Sequence, residues 1–178
     1  MMTVDDVVHR LRSEGDVGKS WYETYRDPRP LGPAELARLR LPDGSELPAE
    51  LAAWLAYDAT WLPLLDPSAP PEAPRLNLSP LREVLARWFV TPADGPCDPA
   101  DPSGAELLAA WIDMLPERGL ADAPSLELPM SGSQEHVLVL RPGRHPRVLG
   151  CHRRYEFWWK YDSFGQFLAH WFDYESME

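Results

Sequence analysis

The sequence predicts an α+β domain: N-terminal helices, then an antiparallel sheet of about four strands or more, closed by a C-terminal helix. Three observations carry this. Before Gly119, apolar residues recur at helical spacing. After Gly119, short runs rich in strand-forming residues alternate with turn residues. The stretch Arg154 to Phe172, RYEFWWKYDSFGQFLAHWF, then changes period at a single residue. Helices first and strands later is the α+β order, not an alternating βαβ sheet.

Val4, Val7, Val8 and Leu11 share a helical face behind Thr3, a suitable N-cap. Pro33 fits the first position of a short helix carrying Leu36 and Leu39. Pro42-Asp43-Gly44 is turn chemistry. Pro48 starts a helix with Leu51, Trp54 and Leu55 inward and Tyr57-Asp58 at its end. Ser79-Pro80 opens a helix whose Leu81, Val84, Leu85, Trp88 and Phe89 repeat at i, i+3, i+4, i+7 and i+8. Ser103 and Glu106 have capping-box spacing ahead of Leu107, Leu108, Trp111, Ile112 and Leu115.

Strands are expected at Ser125 to Pro129, His136 to Arg141, Pro146 to His152 and Tyr155 to Tyr161. Short links favour an antiparallel meander. In HVLVL, from His136, both faces are apolar, which predicts a middle strand covered on both sides. Tyr155, Phe157, Trp159 and Tyr161 fall on one face of the last strand, opposite Glu156, Trp158 and Lys160. Phe164, Phe167, Leu168, Trp171 and Phe172 then form one helical stripe, with Ser163 and Gln166 spaced as a capping box. Phe157, Trp159, Phe164, Phe167, Leu168 and Trp171 are the predicted core, since aromatic burial dominates core energetics.

The 178 residues suit one domain, 1–178, with a possible helical insertion at 75–118. A net charge of -11 argues against binding a phosphate backbone, so no nucleic-acid partner is expected. The same charge suits a basic protein partner. Cys97 and Cys151 are too few for a disulfide framework or a four-thiolate metal site. The acidic opening MMTVDDVVHRLRSEGD lacks the apolar core of a signal peptide. No run approaches the ~18 apolar residues of a membrane span. No membrane association and a cytoplasmic location are therefore expected.

Chemistry-bearing motifs are sparse. Ser13 to Ser20, SEGDVGKS, ends like a phosphate-binding loop but has Ser13 where that loop needs glycine, and follows a helix instead of a strand. His170 and Asp173 are three apart, without the further ligands zinc needs. Cys151 and His152 are adjacent on a strand and point to opposite faces. Ser131-Gly132-Ser133 reads as a turn, not a nucleophile elbow. No catalytic residue, metal site or cofactor is assigned. Candidate partner-binding residues are Tyr57, Asp58 and Trp61, which either line a cleft or cap the core, and Asp98 and Asp101 in a Pro-rich loop. Trp158 joins them: it is a hot-spot aromatic if its face is open and core if helices cover it, as HVLVL suggests.

Two blocks resemble a known family. LPAELAAWLAYDA, from Leu47, is similar to the Leu-Pro helix of the SUKH superfamily (SMI/KNR-like). PRVLGCHRRYEFWWKYDSFGQFLAHWF, from Pro146, is similar to that superfamily's last strands, Ser-Phe junction and closing helix. Asp58-Ala59-Thr60 departs from the Asn-Gly-Gly-like turn common after the first block. The resemblance implies a SUKH-like α+β fold and a non-catalytic binding module. Many bacterial members are immunity proteins that neutralise toxins, so the implied partner is a toxin domain, of which a basic nuclease suits the charge. A regulatory or scaffold module binding a non-toxin protein is the alternative, and an enzyme with a site assembled from distant residues is the third reading.

Overall fold

The computed structural model describes residues 2–14, 28–70, 72–90, 104–131, 134–141, 143–152, 156–172 and 174. Helix α1, Val4–Glu14, buries Val4, Val7, Val8 and Leu11. Thr3 caps it: Asp6 N–H donates to Thr3 Oγ1 (3.2 Å), and Thr3 N–H donates back to Asp6 Oδ2 (2.9 Å). Helix α2, Pro33–Leu36, is a single turn that buries none of its own residues, while Leu39 just beyond it is buried. Helix α3, Ala49–Leu55, buries Leu51, Trp54 and Leu55 as the spacing predicts.

Ser79–Pro80 forms a short edge strand, β1, before α4, Leu81–Val90. The sequence reading placed only a helix start there. Proline suits this place because an edge strand can forgo a ladder donor. Helix α5, Gly104–Asp113, follows, then a 3-10 turn at Leu120–Asp122 and strands β2, Pro124–Ser131, β3, Gln134–Val139, β4, Arg147–His152, and β5, Glu156–Tyr161. The sheet order is β1-β2-β3-β4-β5, antiparallel throughout. Helix α6, Phe164–Trp171, closes the domain. The Ser103 cap and the SEGDVGKS segment beyond Glu14 lie outside the described residues.

The middle strand is covered on both sides, as HVLVL predicts. Leu138 joins a first cluster with α1, α3 and α6, while Val137 and Val139 join a second with α4. Thus the 75–118 stretch, read as a possible insertion, supplies the helical layer of one sheet face. No helix among the described residues is long and apolar enough to cross a membrane.

The last strand departs from strict alternation. Trp159 pairs with Leu149 and Tyr161 with Val148, so Lys160 is an extra residue, a β-bulge. The bulge moves Tyr161 into the first cluster, while Phe157 and Trp159 pack against the second. Phe157, Trp159 and Trp171, expected in the core, are only half-buried; Phe164, Phe167 and Leu168 are fully enclosed. The α6 cap also shifts: Ser163 Oγ accepts from Gln166 N–H (3.1 Å), but Gln166 Oε1 accepts from Asp162 N–H (2.8 Å), not from Ser163.

Candidate functional site

Tyr57 and Asp58 point inward and present no open surface. Tyr57 is buried edge-on to Trp54, at 5.5 Å between ring centroids. Asp58, 1% exposed, organises the chain after α3. Its Oδ1 accepts from Arg29 N–H (3.1 Å), Thr60 N–H (2.9 Å) and Thr60 Oγ1 (2.8 Å). A buried carboxylate is tolerated because donors converge on it. Trp61 is half-buried against Trp54, Trp171 and Phe172 at 5.0–5.7 Å. Of the two sequence readings for these three, the geometry realises the cap over the core. Asp98 and Asp101 lie outside the described residues.

Trp158 is neither fully open nor core. It is half-buried on outer strand β5, facing the first-cluster side of the sheet opposite Gly150. Beside it Lys160 donates to Gln134 Oε1 on β3. Burial lowers the Lys160 pKa. Further under α6, His136 Nδ1 lies 3.2 Å from Pro129 O. A carbonyl only accepts, so Nδ1 carries the proton and Nε2 keeps the lone pair. That Nε2 is buried without a hydrogen-bond partner among the described residues, as is Tyr161 Oη. Burial, then the charges of Lys160 and His170, push the His136 pKa down to about 4, against the pull of Pro129 O. Burial pushes Tyr161 up to about 12. Cys151, also enclosed, is pushed up to about 12, which keeps it a protonated, inert thiol.

A second polar centre sits on the other face. Glu117, after α5, accepts from Arg141 Nη1 and from Trp159 Nε1 (3.0 Å), with Arg147 at 3.6 Å and Arg144 at 3.8 Å. Arg147 also reaches Asp162 at 2.6 Å. The guanidinium carbons of Arg147 and Arg141 lie 4.2 and 5.3 Å from the Trp159 ring centroid. The Arg141 hydrogen bond and charge, then Trp159 and Arg144, hold the Glu117 carboxyl below its usual range. A cleft of about 340 Å³ opens nearby, between residues 41–50 and the β3–β4 turn. Its lining includes apolar Leu41, Pro48 and Pro146, and charged Glu46, Glu50 and Arg144.

Sequence reasoning missed both centres. The run RPGRHPR, from Arg141, is a dense basic stretch in a chain of net charge -11, and that contrast is a readable signal. Nothing in the sequence pointed to Glu117 as its partner, because the pairing depends on how α5 returns to the sheet. Among the described residues, no three His, Cys, Asp or Glu side chains are placed to hold one metal ion. Comparison with protein-family models, curated proteins and solved structures returns no match.

Proposed function

We propose that this chain is a cytoplasmic, SUKH-like immunity protein: a binding module that neutralises a basic toxin domain by covering it. The observation that carries the reading is the net charge of -11, together with the placement of its acids. Asp5 and Asp6 on α1, Glu83 on α4, and Glu106 and Asp113 on α5 are all exposed. Such a surface attracts a cationic partner over a distance and accelerates association at low salt. The two blocks that resemble the superfamily also pack on each other. Trp54 of the first lies 6.4 Å from Phe164 and 6.2 Å from Phe172 of the second, between ring centroids. That contact places the two blocks in one core.

Co-expression with the product of the neighbouring gene tests this. The product should be toxic alone and harmless with this chain, and the complex should weaken as salt rises. A product that is not toxic, or that stays toxic in the presence of this chain, sinks the proposal.

A further inference from the structure

Glu156, Trp158 and Lys160 form a strip on one face of β5. Glycine at 150 makes room for it. A Cβ there would lie 3.1 Å from both Trp158 Cε2 and Lys160 Cβ, so the indole lies across β4 with one side covered. Glu156 is exposed, and Lys160 is half-buried with a neutral amide as its acceptor. Among the described residues neither has an ion-pair partner. They do not pair with each other: four strand residues set them about 13 Å apart, and Lys160 reaches across β4 to Gln134 instead. The lowered pKa of Lys160 marks the same strain, a cation partly desolvated with no anion against it. Among the described residues β5 is the outer strand and pairs with β4 alone.

An acid and a base placed symmetrically about an aromatic are complementary to the same strip reversed. About a two-fold axis, a residue i that meets residue j of the other copy implies that j meets i, and only residues on the axis meet their own counterpart. We propose that a second copy of this chain docks here about a two-fold axis through Trp158, with each Glu156 meeting the other copy's Lys160 and the two indoles in contact. The contact is made by side chains. The bulge at Lys160 interrupts the ladder geometry that edge-to-edge strand pairing requires. It is a small, weak interface of two short charge pairs around an aromatic centre.

Salt separates this association from toxin binding. Two chains of net charge -11 repel at long range, and that repulsion is screened beyond about 10 Å at 0.1 M salt. Self-association therefore tightens between roughly 0.02 and 0.15 M salt, the reverse of what an acidic surface shows toward a basic partner. Failure of either proposal leaves the other standing.

The experiment is sedimentation equilibrium of the full chain up to about 500 µM, in which a contact of this kind should give a dissociation constant on the order of tens of micromolar. Glu156→Lys and Lys160→Glu should each weaken it by about tenfold or more, and the double variant should restore it to within about threefold. Trp158→Ala, checked by circular dichroism, should abolish it. A wild-type chain that stays monomeric at 0.15 M salt overturns the proposal. So does a dimer indifferent to the single reversals, or a double variant that fails to recover.

Discussion

The two sheet faces are sealed by different means. On the first face, aromatic rings interlock: Trp54 against Tyr57, Trp61, Phe164 and Phe172, and Phe167 against Phe164 and Tyr161. Among the described residues, twenty-four buried ones join that cluster and ten join the second, against which half-buried Trp88, Phe157 and Trp159 also pack. There the rim of Trp159 is closed by arginines held on Glu117. A large apolar layer excludes water by itself, whereas a small one needs polar groups at its margin. The first face is therefore the fixed part of the molecule, and the second is where charge chemistry shapes the structure.

The sharpest way to break this contrast is to cut one ring from the first face. Phe167→Ala should cost about 3–5 kcal/mol, the range for deleting a buried aromatic from a tight core. Urea unfolding monitored by circular dichroism measures it. A loss under about 1 kcal/mol would mean that the first face is not close-packed.

His136 gives the first face a pH-dependent weakness. Its folded pKa of about 4 lies below the ordinary value of 6.5. As pH falls from 6.5, the unfolded chain takes up this proton while the folded chain refuses it. Stability is therefore complete above 6.5 and declines toward 4, by an amount on the order of 3 kcal/mol. Lys160 and Tyr161 from β5, His170 from α6 and Pro129 O from β2 surround the ring, and among the described residues no carboxylate acts on it to offset a second charge. His136→Gln should flatten the stability curve between pH 6.5 and 4 relative to wild type. Parallel curves for the two proteins would dismiss His136 as the cause.

How legible each face was in the sequence follows the same division. Periodicity identified α1, α3, α4, α5, α6 and the four long strands, because a face buried against a layer must be apolar at the period of its element. HVLVL disclosed the second layer because alternate residues serve opposite faces. The bulge at Lys160 was illegible: an extra residue changes the facing of Tyr161 without changing composition. The two-residue strand Ser79–Pro80 was too short to carry a pattern. Tyr57 and Asp58 sit where a cleft or a core cap would read alike, and the burial of both and the donors that converge on Asp58 separate the two. Trp158 depends on Gly150 in another strand, a relation that register supplies and sequence does not.

The smallest expected effect lies on the second face. Glu117 is about a third exposed and its arginines range from 18% to 64% exposed, so solvent screens much of the cluster. Glu117→Ala should lower stability by only about 1 kcal/mol, the upper end for partly exposed ion pairs. Its signature is local. Trp159 Nε1–H loses its acceptor, and Arg141 and Arg147 lose the carboxylate that anchors them over the ring. Amide exchange in β5 and the β3–β4 turn should accelerate, while α1, α3 and α6 keep their protection. Glu117→Gln retains an oxygen acceptor for Trp159 and should fall between the two. If Glu117→Ala instead loosens α6 as much as β5, the two faces are not independently sealed, and the contrast between them fails.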